Sequence, residues 1–154
     1  MAAPRFFTKE WADAVREAVN KGPSEDYLGS KLDDYWMWID NARNSFEGSL
    51  AFAITRADEL EPEVVALTFS GGSCTVAEIL NVDDLPAEAY VLAGEREAWR
   101  DLMTGYDAGK SVMYRRLLLV RGNLLAFFNR VYFFVELLAL VGKVPTDLDE
   151  LAAA

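Results

Sequence analysis

The chain has 154 residues, of which 52% are hydrophobic, and a formal net charge of −10. This length is sufficient for one domain that buries roughly 70% of its unfolded surface, and the net negative charge argues against nucleic acid or an anionic membrane as a partner of the whole molecule. Because the sequence contains no histidine and only one cysteine, Cys74, it excludes an internal disulfide, a zinc site built from Cys and His, and the Ser–His and Cys–His nucleophile pairs.

The N-terminal part of the chain predicts two helices. Thr8 is expected to cap the first helix, over residues 9–20, because apolar residues recur there at helical spacing. The breaker sequence Lys21-Gly22-Pro23 should end this helix. Residues 24–30 are expected to form a loop, and a second helix is predicted over about residues 32–46.

Four strands are predicted in the middle of the chain. Bulky and small residues alternate over residues 49–55, which predicts a strand with one bulky and one small face. The same alternation predicts a second strand over residues 64–69. The sequence Ser70-Gly71-Gly72-Ser73 is typical of a hairpin turn into a third strand over residues 74–79. A fourth strand is predicted over residues 88–93.

The last third of the chain predicts helices around one short strand. Helices are expected over residues 95–104 and 109–114. The apolar run 117–121 predicts a fifth strand that is largely buried. Gly122-Asn123 indicates a turn into a final helix over about residues 124–140.

Together these elements predict one α+β domain over residues 1–154. Its ordered core is expected over about residues 6–147, and residues 148–154 are expected to form an acidic tail. The N-terminus has no apolar run of signal-peptide type, so we expect a cytoplasmic protein.

The most apolar stretch, residues 117–142, is too polar for a membrane span. Arg121, Asn129, Arg130 and Glu136 interrupt it, whereas a span needs about 20 predominantly apolar residues. We therefore expect this stretch to belong to a globular fold.

The predicted final helix is apolar around most of its circumference. Only a thin polar stripe of Asn129, Glu136 and Lys143, with Arg130 beside it, interrupts the large apolar side chains. Such a helix must be covered on several sides, by the sheet, by a partner subunit or by a ligand. Glu136 is either a solvated residue of this stripe or a polar anchor within an apolar pocket.

Basic residues coincide with this apolar part of the sequence. Residues 108–135 contain no Asp or Glu and carry five cations, so the rest of the chain carries a charge of −15. This coincidence would suit an amphipathic anion, such as a fatty acid or an acyl phosphate, or brief docking on a membrane surface. The alternative is five surface cations whose aliphatic stems lie on apolar surface.

Two glycine-rich segments resemble catalytic motifs without having their spacing. The segment GYDAGKS, residues 105–111, has one residue too few before Gly-Lys-Ser for a phosphate-binding loop, and a helical pattern precedes it. It is interpreted as a turn between helices. The segment SGGSC, residues 70–74, lacks the Gly-x-Ser-x-Gly pattern of a nucleophile elbow and is interpreted as a hairpin turn.

The middle and end of the sequence resemble the sterol carrier protein 2 family. The closest likeness is the segment YVLAGEREAWRDLMTGYDAGKSVMYRRLLLVRGN, which is similar to the family's run of strand, Trp-containing helix, Met-containing helix and basic-apolar strand. Asn123 stands where the family usually has Asp, and the segment 21–45 is longer than usual. The positions that match the family pattern are Gly94, Trp99, Leu102, Gly105, Met113, Leu117, Leu119 and Gly122.

The resemblance implies a five-stranded, mostly antiparallel sheet with helices on one face and a hydrophobic tunnel between them. It also implies non-catalytic binding or carriage of a fatty acid, an acyl-CoA, a sterol or a related lipid, without a cofactor or a metal. We expect the tunnel to be lined by Leu102, Met103, Met113, Leu124, Phe127, Phe128, Val131, Val135 and Leu138. Candidates for contact with an anionic head group are Lys110, Arg115, Arg116 and Arg130.

Two other hypotheses remain open from the sequence. The apolar final helix would serve as an oligomer interface if the chain were a protein–protein interaction module, for example in a homodimer. A cofactor-free enzyme acting on hydrophobic substrates would use Glu136 or Tyr132 as an acid or base. Transient membrane contact is a further expected interaction, and nucleic acid is not an expected partner.

Overall fold

A computed structural model describes residues 3–148. The predicted tail therefore lies, apart from Leu148, outside the described residues. The chain begins with helix α1 (Lys9–Lys21), a single helical turn α2 (Glu25–Leu28) and helix α3 (Asp33–Asn44). The Thr8 side chain accepts a hydrogen bond from the amide of Trp11, which confirms the predicted cap.

The segment predicted as a loop after α1 contains the short helix α2. Its cap is Ser24, whose hydroxyl accepts a hydrogen bond from the amide of Tyr27. Serine favours this position because its side chain replaces a missing intrahelical partner. The predicted loop was wrong over this one turn because its four residues are too few to show helical periodicity.

The sheet has six strands, one more than predicted. They are β1 (Gly48–Arg56), β2 (Glu59–Leu60), β3 (Glu63–Ser70), β4 (Ser73–Asn81), β5 (Tyr90–Glu95) and β6 (Leu118–Arg121). The order across the sheet is β4-β3-β1-β5-β6, and the additional two-residue strand β2 pairs with β1. Only the β1–β5 pair is parallel among these pairs, so the sheet is mostly antiparallel, as expected.

The two faces of β1 are buried against different parts of the chain. Its bulky residues Leu50, Phe52 and Ile54 face the helices and belong to the main core cluster. Its small residues Ala51 and Ala53 form a second cluster with the crossover segment between β4 and β5, which includes a 3₁₀ turn over Val82–Asp84. The predicted division into a bulky and a small face is therefore correct, and both faces are covered.

After β5 the chain forms the helices α4 (Arg96–Met103) and α5 (Ala108–Met113), and after β6 it forms α6 (Leu124–Asn129) and α7 (Val131–Gly142). Helix α7 contacts α1, α3, α4 and α5 of the same chain. Its all-round apolar surface is thus covered from several sides within one molecule. None of the helices among residues 3–148 has the length and apolar character needed to cross a membrane.

The predicted single final helix is broken at Arg130. The Arg130 backbone leaves the helical conformation, with φ −120° and ψ 22°. Across this break the rings of Phe127 and Phe134 stack with centroids 4.7 Å apart. Seven residues of a continuous helix rise about 10 Å, so these two rings could not stack without the break. Periodicity did not reveal it because both halves are apolar.

The prediction of a largely buried last strand was also wrong. β6 lies at the edge of the sheet, where it pairs with β5 alone, and Leu118 and Val120 are exposed. A continuous apolar run is typical of strands that are covered on both faces. Here the same run forms an edge strand with a partly open surface.

Candidate functional site

An apolar cleft opens between α5, β6 and α6. Its volume is about 430 Å³, within the range of roughly 300–1,000 Å³ that is usual for small-molecule sites. Nine of its ten lining side chains are apolar and the tenth is an arginine. The lining residues are Leu92, Val112, Met113, Arg115, Leu117, Leu118, Leu119, Leu124, Phe127 and Phe128.

Small and polar residues at the element ends position the walls of this cleft. A Cβ on Gly94 would lie 2.8 Å from the backbone oxygen of Arg116 and 2.5 Å from Leu117 Cδ2, so only glycine allows β5 and the segment before β6 to approach this closely. The carboxylate of Asp107 caps α5 by accepting a hydrogen bond from the amide of Lys110. The side chain of Asn123 caps α6 in the same way, so asparagine performs the capping role here.

The nine apolar residues that were predicted as lining fall into two groups. Four of them, Met113, Leu124, Phe127 and Phe128, line the cleft. The other five lie elsewhere: Leu102 and Leu138 are buried in the core, and three are partly buried against it, namely Met103, Val131 and Val135. Contact between these residues and a ligand stays a prediction.

The four predicted head-group residues also separate. Arg115 lines the cleft, and Lys110 is exposed on α5. Arg116 instead pairs with Asp101 at 2.5 Å, which raises the pKa of its guanidinium. Arg130 donates a hydrogen bond to the hydroxyl of Ser45 at the end of α3. Arg115 is therefore the member of this group that lies at the apolar cavity.

The sequence interpretation missed several lining residues of β5, α5 and β6. Leu92, Val112 and Leu118 were assigned no role, and Leu117 and Leu119 were noted only as matches to the family pattern. A signal was available, because four of these five lie within or shortly after the predicted helix over residues 109–114 and are apolar. These residues were not assigned to the lining because the last strand was assumed to lie in the interior of the sheet.

Besides Arg115 at the cleft, a second charged group, the carboxylate of Glu136, lies on the side of α7 that faces the segment α2–α3. Glu136 is 4% exposed and accepts hydrogen bonds from the hydroxyls of Tyr27 (2.6 Å) and Tyr35 (2.5 Å) and from Lys31 Nζ (2.8 Å). We call these four residues the Glu136 cluster. Glu136 is thus not a solvated residue of the polar stripe, and it faces the segment α2–α3 rather than the cleft.

Hydrogen bonding determines the ionisation of this cluster. Burial alone would raise the pKa of Glu136, but hydrogen bonds from Lys31, Tyr27 and Tyr35 outweigh it and lower that pKa. Partial burial disfavours charged Lys31, yet the hydrogen bond to Glu136 raises the pKa of Lys31 above its usual range. Burial and the neighbouring carboxylate raise the pKa of both tyrosines. The carboxylate is therefore ionised and fully bonded at neutral pH.

Aromatic rings surround the ammonium group of this cluster. Lys31 Nζ lies 4.7 Å from the ring centroid of Tyr35 and 5.7 Å from that of Trp36. Lys143, the residue that follows α7, places its Nζ over the ring of Tyr27, 4.3 Å from the ring centroid. These cation–π contacts add to the ion pair in holding the segment α2–α3 against α7.

The single cysteine is not activated, and the described acidic side chains are not arranged as metal ligands. Cys74 is buried, and burial raises the pKa of its thiol to about 11, so it is a poor nucleophile. Within residues 3–148, no group of three His, Cys, Asp or Glu side chains is arranged to hold a metal ion. A much smaller cavity of about 70 Å³ lies between α1, α3 and α7 and includes Glu136 and Arg43 in its lining, so the cleft between α5, β6 and α6 is the roomier of these two apolar cavities.

Comparison with known proteins gives matches among solved structures only. The chain is similar to a crystal structure of sterol carrier protein 2, with 22% identity, a TM-score of 0.66, and coverage of 91% of this chain and 99% of that one. It is also similar to a conserved hypothetical protein from Thermus thermophilus, a sterol carrier protein candidate, with 20% identity, a TM-score of 0.64, and coverage of 96% and 94%.

Searches against protein-family models and against curated proteins found no match. Both structural likenesses span nearly the whole length of the two chains. The resemblance noted in the sequence is therefore confirmed for the architecture: this chain has the fold of sterol carrier protein 2.

Proposed function

We propose that the protein binds a hydrophobic small molecule without covalent chemistry and carries it in the cleft between α5, β6 and α6. The observation that carries this proposal is the open apolar cavity of about 430 Å³ with one guanidinium group in its lining. The ligand class is a fatty acid, an acyl-CoA, a sterol or a related lipid. One structurally similar protein is named sterol carrier protein 2 and another is a sterol carrier protein candidate, which supports a sterol or a related lipid within this class.

The chemistry of the lining supports binding rather than catalysis. Nine apolar side chains offer no nucleophile, acid or base, and Arg115 is a permanent cation. Transfer of an acyl chain from water into such a lining contributes roughly 0.8 kcal/mol per CH₂ group, before association costs are deducted. Arg115 complements a carboxylate or phosphate at the end of such a chain.

The first test is direct identification of the ligand. The purified protein is extracted with organic solvent and the extract is measured by mass spectrometry. In parallel, displacement of a fluorescent fatty acid from the protein is titrated. We expect a co-purified lipid and saturable displacement, and absence of both would contradict the proposed function.

A matched pair of variants on β6 locates the ligand. Leu118 lines the cleft, whereas Val120 is exposed on the same strand and is not part of the lining. Leu118→Asp should weaken ligand affinity by about tenfold or more, since it places a carboxylate in an apolar cavity. Val120→Asp should leave affinity nearly unchanged. Equal effects of both substitutions would exclude this cleft as the binding site.

A further inference from the structure

We propose that the mouth of the cleft is a docking surface for an anionic lipid bilayer. The surface consists of six side chains from α5, β6 and α6, which we call the rim. The inference rests on the proposed function for its purpose, because docking would let a hydrophobic ligand pass between bilayer and cleft without crossing water. The rim residues are Met113, Tyr114, Leu118, Leu124, Leu125 and Phe128.

Exposure distinguishes the rim from ordinary apolar surface. Its six side chains are between 38% and 73% exposed, and they come from consecutive elements of the same part of the chain. Four of the six also line the cleft, so the exposed surface is continuous with the cavity. Isolated exposed apolar residues are common, but a clustered group at the opening of a cavity indicates an interaction site.

The charge around the rim selects an anionic surface as its partner. Lys110 lies three and four residues before Met113 and Tyr114, and therefore on the same face of α5. Among residues 3–148, neither Lys110 nor Arg115 lies within ion-pair distance of a carboxylate. The two nearest preceding acidic residues are engaged, since Asp107 caps α5 and Asp101 pairs with Arg116.

The acidity of the rest of the chain would set the orientation of docking. Residues 108–135 carry five cations and no carboxylate, whereas the remainder carries −15. An anionic bilayer repels that remainder and attracts the cations Lys110 and Arg115 beside the rim, so approach through the rim is the favourable one. Tyr114, whose ring is apolar and whose hydroxyl is polar, is a residue type typical of the membrane–water interface.

The test measures vesicle binding of the full chain by flotation. Phosphatidylcholine vesicles with and without phosphatidylserine are compared at low and high salt. We expect binding that requires phosphatidylserine and weakens with salt, because exposed charges are screened. Absence of binding, or equal binding to both vesicle types, would overturn the proposal.

One rim variant, one variant of the neighbouring Lys110 and two matched controls locate the surface. Leu125→Ser should lower vesicle binding roughly tenfold, because an exposed leucine side chain no longer enters the bilayer. Lys110→Glu should lower it by about thirtyfold, since each charge contributes a factor of about five. The controls are Val76→Ser on β4, at the opposite edge of the sheet, and Lys21→Glu on α1, which packs against β4. Equal losses in the controls would overturn the proposal.

Measurements without vesicles separate this proposal from the proposed function. Neither Leu125 nor Lys110 lines the cleft, so displacement of the fluorescent fatty acid should be unchanged in both variants. Ligand displacement without vesicle binding refutes docking and leaves carriage intact. Vesicle binding without any ligand supports docking and refutes carriage. A wild-type dimer that Leu125→Ser converts to a monomer, seen by light scattering, would make the rim an interface between copies and overturn the proposal.

Discussion

The helices α6 and α7 follow one another in sequence, but α6 exposes apolar side chains whereas α7 buries a charged one. In α6, Leu124, Leu125 and Phe128 are at least half exposed. In α7, the carboxylate of Glu136 is buried and the leucines next to it are covered. The hydrophobicity of individual residues therefore does not predict which of them meet solvent in this part of the chain.

The difference follows from what surrounds each helix. α7 is enclosed by α1, α3, α4 and α5, and the segment α2–α3 supplies two hydroxyls and an ammonium group to its one carboxylate. A buried charge is tolerated where such partners saturate it. α6 precedes the break at Arg130 and lies beside the edge strand β6. Among the described residues, no set of helices encloses it as α1, α3, α4 and α5 enclose α7. We therefore expect α7 to stabilise the fold and α6 to serve binding.

The largest expected effect comes from matched truncations in the two helices. Phe134 on α7 is 1% exposed and stacks on Phe127, whereas Phe128 on α6 is 50% exposed. Phe134→Ala should lower the free energy of unfolding by about 3–5 kcal/mol. Phe128→Ala should lower it by less than about 1 kcal/mol. Urea unfolding measures both, and similar losses would remove the proposed distinction between the helices.

A smaller effect is expected from Glu136→Gln. Loss of the charge weakens the bonds to Tyr27, Tyr35 and Lys31, which should lower the free energy of unfolding by about 1–3 kcal/mol. Disruption of a fully buried ion pair costs more, about 3–5 kcal/mol, but the Lys31 side chain is 37% exposed and can turn to solvent. The control is Glu17→Gln on the exposed side of α1, which should change stability little.

Displacement of the fluorescent fatty acid from the Glu136→Gln variant tests whether Glu136 contributes to stability alone or also to ligand binding. Glu136 does not line the cleft, so ligand affinity should change little while stability falls. A strong loss of affinity at unchanged stability would instead place Glu136 in the binding site. Turnover of a hydrophobic substrate that disappears in this variant would support the enzyme hypothesis.

The smallest expected effect is the change with pH in the stability difference between wild type and Glu136→Gln. The pKa of Glu136 is lowered from 4.5 on folding, so its contribution to stability is present above pH 4.5 and is lost as the pH falls further. The pKa of Lys31 is raised from 10.5, so its contribution is present below pH 10.5 and is lost as the pH rises through the folded value.

Urea midpoints as a function of pH measure this difference. The gap in stability between wild type and Glu136→Gln should be nearly constant from about pH 5 to pH 10 and should shrink on either side. A gap that grows as the pH falls below 4.5 would contradict an ionised Glu136 in the folded protein. Glu17→Gln, whose parent carboxylate is exposed, provides the reference curve.

Local patterns predicted most of the architecture. Thr8 and Gly22 mark the ends of α1 because caps and breakers act through neighbouring residues. The alternation in β1 predicted its two faces because the side chains of a strand alternate regardless of context. The order of elements and the family resemblance then indicated the mostly antiparallel sheet.

The site was harder to predict because it depends on tertiary placement. Whether Leu118 is interior or at a cleft depends on its strand being at the edge of the sheet, which no local pattern encodes. The partners of Glu136 lie more than 100 positions away along the chain, so its burial was not visible either. Arg130 was similarly ambiguous, since its partner Ser45 lies at the end of α3.

The edge strand β6 is held by fewer backbone hydrogen bonds than the central strand β1. β6 has four residues and is bonded to one neighbour, with a register shift, whereas β1 is bonded on both sides along most of its length. Short edge segments open at lower free energy than the interior of a sheet. We therefore expect local opening of β6 and α6 to widen the cleft at a lower free energy than any opening of the aromatic core beneath α7.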